Sequence, residues 1–127
     1  MSERLTVIIP CKNEARNICD CIESVRDVAD ELIVADSGST DDTIALARSL
    51  GSCRIIQRDW IAASDFKNWA LEQATHNWIL IVDADERVTG ELAKEIREVL
   101  IHPRRNGYQI HRANHFMGYR VRFGQWG

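Results

Sequence analysis

An apolar run that ends abruptly in two carboxylates restricts the fold of this chain more than any other feature. Residues 78–82 are apolar at every position, and Asp83-Ala84-Asp85-Glu86 follows them directly. A strand that is apolar on both faces is typical of a parallel sheet with helices on both sides. Ligands of such sheets bind at the carboxyl ends of the strands, so Asp83 and Asp85 are expected to project into a binding edge.

Strand and helix signals alternate along the whole sequence. Thr89 is placed to cap a strongly amphipathic helix, and Ser39 with Asp42 forms a capping-box pattern. The predicted strands cover residues 5–9, stopped by Pro10, then 32–35, 54–57, 78–82 and 107–111; the predicted helices cover residues 14–28, a segment from the capping box through Leu50 with Gly51 as its stop, 64–74 and 91–100. This alternation predicts an α/β fold with a mostly parallel sheet.

Length and composition fit one globular domain, residues 1–127. The net charge of −3 argues against a nucleic-acid partner bound by electrostatics. No stretch approaches the roughly 20 apolar residues of a membrane span, and we expect a cytosolic protein without a signal peptide. The four cysteines and four histidines have no zinc spacing, and we assign them no chemistry.

Three polar segments follow predicted strands and should meet at one edge of the sheet: Pro10-Cys11-Lys12-Asn13-Glu14, Asp36-Ser37-Gly38-Ser39 and Asp83-Ala84-Asp85. Taken alone, Asp-x-Asp is more often a solvated turn or a helix cap. Together, however, the segments predict a pocket for a nucleoside diphosphate. The two aspartates would hold Mg²⁺ or Mn²⁺ against the phosphates, and Asp36 could accept the imide N–H of a uracil.

Four linked motifs resemble family 2 glycosyltransferases in their residues, order and spacing. They are Val7-Ile8-Ile9-Pro10-Cys11-Lys12-Asn13-Glu14, Val34-Ala35-Asp36-Ser37-Gly38-Ser39-Thr40-Asp41, Lys67-Asn68-Trp69-Ala70-Leu71 and Val82-Asp83-Ala84-Asp85-Glu86. A later stretch, Arg112-x-Asn114-x-Phe116-x-Gly118 followed by Gly124-x-Trp126, resembles the lipopolysaccharide-core and surface-polysaccharide β-glycosyltransferases.

The resemblance implies a GT-A fold, a nucleotide-sugar donor that is usually a UDP-sugar, a Mn²⁺ or Mg²⁺ cofactor, and inverting transfer to a lipopolysaccharide or other lipid-linked glycan of the cell envelope. It also implies roles for seven residues. Pro10, Asn13 and Glu14 would cradle the nucleoside, Asp36 would contact uracil or ribose, Lys67 would lie near the base or phosphates, Asp83 would approach the sugar or ribose beside the metal, and Asp85 would ligate the metal.

The general base of the reaction is not identifiable in this sequence. In the family it is a carboxylate downstream of the metal motif, and no such residue appears before Gly127. One alternative is therefore a truncated nucleotide-sugar-binding domain without transfer activity. A nucleotidyltransferase is a third hypothesis, but the loop after the first strand lacks the glycines that bind a triphosphate. Basic residues near the end, among them Arg120 and Arg122, suit peripheral contact with anionic lipid.

Several site residues also have purely structural interpretations. Asp36 could stabilise an Asx turn up to Ser39, and the two roles can coexist. Asn13 could cap the helix that begins at Glu14. Lys67 could be a solvated charge on its helix. The tryptophans before the metal motif are expected to pack in the core or between helix and sheet rather than bind sugar: Trp60, Trp69 and Trp78.

Overall fold

Strands and helices alternate as expected from the sequence. The computed structural model describes residues 3–60, 62–104, 107–111 and 120–125, the last two ranges as strand backbone. The elements are β1 (Leu5–Cys11), α1 (Ile18–Val25), β2 (Glu31–Asp36), α2 (Thr43–Leu50), β3 (Arg54–Gln57), α3 (Ala63–Glu72), β4 (Trp78–Ile81), α4 (Gly90–Ile101), β5 (Gly107–His111) and β6 (Arg120–Gln125). The α/β class is confirmed.

The six strands of the described residues form one sheet in the order β3-β2-β1-β4-β6-β5. The pairs β1 with β2, β1 with β4, and β2 with β3 are parallel. Strand β6 runs antiparallel to both β4 and β5. The four parallel strands therefore present their carboxyl ends at one edge, where the three polar segments follow β1, β2 and β4. Strand β5 was predicted from the sequence, whereas β6 was not.

Helices cover the parallel strands on both faces. On one face α1, α2 and α4 bury a large cluster that includes Ile22, Ala47 and Ile96 over strand residues such as Val7 and Leu80. On the opposite face α3 buries Phe66 and Ala70 over a smaller cluster. Each fully buried aliphatic side chain contributes about 1.5–3 kcal/mol, so this two-sided core fixes the positions of the strand ends.

Strand β1 continues through Pro10, where the sequence predicted that it would stop. The backbone N–H and C=O groups of successive β1 residues point alternately towards β2 and β4. The C=O groups of Leu5 and Cys11 accept the N–H groups of the residues just before and just after β2, whereas the C=O of Ile8 accepts the N–H of Val82. Pro10 therefore directs its nitrogen towards β4. Since β4 pairs with β1 only as far as Ile8, the missing N–H of Pro10 removes no ladder bond.

Two predicted helix starts were wrong. Helix α1 begins at Ile18 rather than at Glu14, with Asn17 in the N-cap position. Helix α2 begins at Thr43 after Asp42, and the Ser39 hydroxyl bonds Asp36 instead of closing a capping box. The predicted stop at Gly51 is confirmed, because this residue adopts φ 67° after Leu50. The Thr89 cap is also confirmed, since its hydroxyl accepts the Leu92 N–H at 3.1 Å.

The tryptophans differ in burial. Trp78 is buried in the core as expected, whereas Trp60 is 51 % exposed and Trp69 is half-buried. The expectation of core packing was therefore wrong for Trp60. Its ring still lies 5.6 Å from that of Phe66, which in turn lies 5.4 Å from the Trp69 ring. Trp126 lies outside the described residues.

Candidate functional site at the carboxyl edge of the sheet

The loops that follow β1 and β2 are joined by direct hydrogen bonds. The Ser37 N–H donates to the Cys11 carbonyl at 3.0 Å, which continues the pairing of the two strands beyond Asp36. Further along, the Glu14 N–H donates to the Thr43 hydroxyl at 2.8 Å. The two loops therefore form one rigid wall at the carboxyl edge. The predicted proximity of the Pro10–Glu14 and Asp36–Ser39 segments is confirmed.

Asp36 has no exposed surface and anchors the turn that follows β2. Its Oδ2 accepts the N–H groups of Gly38 and Ser39, both at 3.0 Å. Its Oδ1 accepts the Ser39 hydroxyl and, at 3.7 Å, the Cys11 thiol. Gly38 adopts φ 115°, a conformation that L side chains rarely occupy, so the turn requires glycine there. The Asx-turn interpretation of Asp36 is therefore confirmed, while its contact with a nucleotide stays a prediction.

Asn13 stabilises the opposite loop rather than its own helix. Its Oδ1 accepts the N–H of Thr40 at 2.7 Å and that of Asp41 at 3.3 Å. Its own N–H donates to the Ser39 hydroxyl at 2.8 Å. Asn13 adopts φ 54°, in the left-handed region that asparagine tolerates better than most residues. The expectation that it caps a helix beginning at Glu14 was wrong, because α1 begins four residues later.

The two carboxylates after β4 lie on a tight turn. The Glu86 N–H donates to the Asp83 carbonyl at 2.9 Å. In return, the Glu86 side chain accepts the Asp83 N–H at 2.6 Å through Oε1. Glu86 is only 5 % exposed, so its carboxylate holds the turn from inside. This reciprocal pair fixes the backbone of Asp83, and Glu86 is a supporting residue that the sequence analysis did not assign.

Ala84, between the two aspartates of the turn, is buried. It is 2 % exposed and belongs to the large core cluster, whereas Asp85 is exposed and Asp83 is half-buried. The residue between the two aspartates is thus the one that packs in the core. Because Ala84 packs in the core cluster, we expect a larger side chain at this position to displace the turn.

The donor set at this turn suits a divalent ion that keeps other ligands. Within the described ranges, no cluster of three or more His, Cys, Asp or Glu side chains is arranged to hold a metal. Asp83 is half-buried and Asp85 is exposed, and both carry hard oxygen donors at this turn. Mg²⁺ is commonly bound by one or two carboxylates together with water and substrate phosphates, and the pair fits that chemistry.

Two buried thiols lie directly beneath the site. Cys11 donates to Asp36, and the Cys21 thiol donates to the Asp83 carbonyl at 3.5 Å. Burial, reinforced by the charge of Asp36, raises the pKa of Cys11 well above the usual thiol range. Burial likewise raises the pKa of Cys21 to about 12. Both groups therefore stay protonated near neutral pH and act as hydrogen-bond donors rather than nucleophiles.

Of the remaining predicted residues, Pro10 and Glu14 lie at the end of β1 and on the loop after it, whereas Lys67 lies on α3. Pro10 is half-buried at the end of β1, and Glu14 is half-buried with its Oε2 accepting the Asn17 amide at 3.3 Å. Lys67 is exposed on α3, which packs on the sheet face opposite α1. In the part of the chain with described side chains, no hydrogen bond or ion pair joins Lys67 to the other predicted residues. Its donor contact stays a prediction.

The fold is that of GT-A glycosyltransferases. The chain is similar to the mannosyltransferase PcManGT from Pyrobaculum calidifontis, solved in complex with GDP-Man and Mn²⁺, with a TM-score of 0.75 over 98% of this chain and 45% of that one, at 21% sequence identity. It also resembles glucosyl-3-phosphoglycerate synthase from Mycobacterium tuberculosis in complex with UDP, with a TM-score of 0.60 over 66% of this chain and 34% of that one, at 27% identity.

The sequence comparison defines the family. Residues 6–126 match Glycosyl transferase family 2, and the chain belongs to this family of transferases. An uncharacterized glycosyltransferase of Rickettsia felis is 35% identical over 94% of this chain and 39% of its own length. The lipopolysaccharide core biosynthesis glycosyltransferase LpsC of Rhizobium meliloti is 34% identical over 91% of this chain and 44% of its own length. The chain thus spans about two fifths of these curated relatives.

Proposed function

We propose that this chain is the donor-binding part of an inverting glycosyltransferase that transfers a hexose from a UDP-sugar to a glycan of the cell envelope. The observation that carries the proposal is the convergence of three loops at one sheet edge. The Asn13 loop and the Asp36 turn are bonded to each other, and the Asp83 turn follows the adjacent strand. In open α/β sheets this edge is where ligands bind.

The nucleoside would lie against the wall formed by the first two loops. Pro10, Asn13 and Glu14 would supply the cradle, with Asp36 holding the wall and contacting uracil or ribose. Lys67 would approach the base or phosphates from α3. Support comes from the structural neighbours, since the M. tuberculosis synthase was solved with UDP and PcManGT with GDP-Man.

Asp83 and Asp85 would bind Mn²⁺ or Mg²⁺, with Asp85 as the principal ligand and Asp83 also near the sugar or ribose. Bound there, a divalent ion would neutralise the charge on the diphosphate leaving group. Asp85 is exposed enough to reach it, and the Glu86 contact keeps the Asp83 backbone in place. The neighbour PcManGT was solved with Mn²⁺.

The acceptor would be a lipopolysaccharide or another lipid-linked glycan. The similarity to LpsC, a lipopolysaccharide core biosynthesis enzyme, supports this class. Inversion needs a base that takes the proton of the acceptor hydroxyl as its oxygen attacks the anomeric carbon and the nucleoside diphosphate leaves. Glu86 is a poor candidate, because it is 5 % exposed and its Oε1 accepts the Asp83 N–H. The base stays unassigned.

Calorimetric titration of UDP, and separately of GDP, with Mn²⁺ and then with EDTA tests the donor site. We expect UDP to bind more tightly with Mn²⁺, and a double Asp83→Ala, Asp85→Ala variant to lose that gain. A matched control removes two exposed carboxylates on α4, Glu95→Ala with Glu98→Ala, and should bind as the parent does. Absence of nucleotide binding to the folded chain would contradict the proposal.

A non-catalytic nucleotide-sugar-binding domain is the second candidate, because Glu86, the carboxylate next to the metal pair, is buried and accepts the Asp83 N–H, and no described residue is assigned as the base. The two candidates separate in a transfer assay with a UDP-hexose and a lipopolysaccharide acceptor. Binding without transfer, in this chain and in a version extended to the length of the relatives, would support the second candidate.

Peripheral membrane association would follow from an amphiphilic acceptor. Within the described ranges, every helix is too short or too polar to cross a bilayer. Arg120 and Arg122 on β6 are the proposed contacts for anionic lipid or phosphate. Co-sedimentation with anionic vesicles should weaken in an Arg120→Ala, Arg122→Ala variant, and equal binding by parent and variant would count against these contacts.

A further inference from the structure

Arg87 connects the turn of the two carboxylates to the start of α1. Its Nη1 donates to the carbonyls of Ala84 at 2.9 Å and Glu86 at 2.8 Å. Its Nη2 donates to the Asn17 side-chain oxygen at 3.0 Å. A single guanidinium thus donates hydrogen bonds to two carbonyls of the turn and to the N-cap residue of α1. The rigid fork of arginine suits this use, which lysine cannot reproduce in full.

Asn17 passes this connection on to the nucleoside side of the site. Its amide nitrogen donates to Glu14 Oε2 at 3.3 Å while its oxygen receives Arg87. Asn17 occupies the N-cap position of α1, yet its side chain makes no capping bond. The side chain that would ordinarily satisfy the helix end bridges Glu14 and Arg87 instead.

The connection reaches the third loop as well. The backbone of Glu14 donates to Thr43, and Asn13 next to it holds Thr40. One chain of hydrogen bonds therefore runs from the turn after β2, through the loop after β1, to the turn after β4. If the proposed function holds, this chain of hydrogen bonds connects the nucleoside wall at one end to the metal carboxylates at the other.

We propose that Arg87 and Asn17 are positioning residues that couple metal binding at Asp83 and Asp85 to nucleotide binding at the Asn13 loop. An ion that favours one arrangement of the acidic turn then favours one arrangement of the Glu14 segment. Because coupling between two sites is reciprocal, nucleotide binding tightens metal binding by the same factor. Neither residue needs to touch the donor for this effect.

The test compares the affinity for UDP with Mn²⁺ and with EDTA in each variant. Arg87→Ala should reduce the ratio of these affinities about three- to tenfold, as expected for the loss of one hydrogen-bonded link. The affinity for UDP measured in EDTA should stay unchanged within about twofold. Arg87→Lys should restore part of the ratio. Arg97→Ala removes an exposed arginine of α4 and serves as the matched control, with the parent ratio.

Asn17→Asp distinguishes the two halves of the link. An aspartate side chain still accepts from Arg87 but cannot donate to Glu14 Oε2, and only the backbone N–H of residue 17 still donates to the Glu14 carbonyl. The coupling should therefore fall although the acidic turn stays anchored. Asn17→Ala combined with Arg87→Ala should lose little more than Arg87→Ala alone, because both act through one contact. Full additivity of the two losses would contradict a shared link.

Hydrogen exchange of the ligand-free chain gives a result that does not depend on nucleotide. Arg87→Ala should speed exchange of the Asp83, Glu86 and Val88 amides more than Arg97→Ala does. If Arg87→Ala keeps the parent's ratio of UDP affinities with Mn²⁺ and with EDTA, the inference is overturned while the proposed function stays intact. If the parent chain itself shows no metal-dependent binding, the proposed function fails and the coupling fails with it, whatever the exchange data show about the contact.

Discussion

The Asn13 side chain accepts the Thr40 N–H at 2.7 Å and so joins the loop after β1 to the loop after β2. The bond spans 27 positions of sequence. It forms only when both strands are in register, because Pro10 pairs with Ala35 and Cys11 with Asp36. This contact makes the first half of the candidate site a consequence of the sheet itself.

Replacing Asn13 should separate its side-chain contact from its backbone conformation. Asn13→Gly loses the acceptor for Thr40 and Asp41 but keeps easy access to φ 54°, at a cost of about 1–2 kcal/mol from the lost bonds and backbone entropy. Asn13→Ala loses the same acceptor and also adopts a left-handed conformation that costs roughly 1–2 kcal/mol.

Urea denaturation of the two variants measures this difference. We expect Asn13→Ala to be the less stable by about 0.5–1 kcal/mol, since strain exceeds the flexibility cost of glycine. Lys12→Ala, at an exposed neighbour, is the control and should change the free energy of unfolding by less than about 0.5 kcal/mol. An alanine variant more stable than the glycine variant would contradict the assigned conformation.

Replacing Asp36 by alanine and by asparagine should change the free energy of unfolding by very different amounts. Asp36→Ala removes the fully buried carboxylate that accepts the N–H groups of Gly38, which is exposed, and Ser39, which is half-buried, and should cost about 1–3 kcal/mol. Asp36→Asn can keep both bonds through its oxygen while its amide faces Ser39 and Cys11, so its cost should be about 1 kcal/mol or less.

Chemical denaturation gives both values, and Asp42→Ala is the control because that exposed residue makes no side-chain cap. Nucleotide affinity then separates the two roles of Asp36. A folded Asp36→Asn variant that binds UDP as the parent does would limit Asp36 to holding the turn. A variant that folds but binds weakly would support a contact between the carboxylate and the nucleoside.

Ala84 should tolerate little increase in size. Ala84→Leu forces three extra carbons into the core cluster beneath the acidic turn, and should cost about 1–3 kcal/mol. It should also weaken Mn²⁺ binding, because the turn can make room only by displacing Asp83 or Asp85. Ala45→Leu, on the exposed side of α2, is the matched control and should leave both quantities nearly unchanged. Equal effects of the two changes would contradict the buried placement of Ala84.

Local sequence rules predicted much of the fold and less of the site. The bounds of β3 and β5, the Thr89 cap and the stop at Gly51 agree with the structure because neighbouring residues determine them. Pro10 did not end its strand, since its missing N–H faces a side where pairing has already stopped. Such an outcome depends on which strand lies beside it, and spacing in the sequence does not contain that information.

The supporting residues of the site could not be predicted from the sequence, because their contacts also depend on the fold. Asn17, Glu86 and Arg87 act through bonds to backbone or side-chain atoms that the fold brings near, and Asn17 meets Arg87 across 70 positions. Strand β6 was missed because its pairing with β4 joins residues far apart in the sequence, such as Leu80 and Phe123. The acidic residues were identifiable because two carboxylates after an apolar strand are conspicuous in the sequence.

The two thiols beneath the site should make the fold sensitive to alkali. An unfolded cysteine titrates near pH 8.5, whereas burial raises the pKa of Cys21 to about 12 and raises that of Cys11 further. The folded state therefore keeps protons that the unfolded state releases. The stabilisation is fully present below about pH 8.5 and is lost as the pH rises towards 12, by up to about 1.4 kcal/mol per pH unit for each thiol.

Urea titrations between pH 7 and 11 measure this loss. Cys21→Ala should show a shallower decline of the unfolding free energy above pH 9 than the parent, because one of the two titrating thiols is gone. Val25→Ala creates a cavity in the same helix without removing a titratable group, so it should be less stable at every pH yet decline as the parent does. A Cys21→Ala variant with the parent's slope would mean that this thiol is not buried under Asp83.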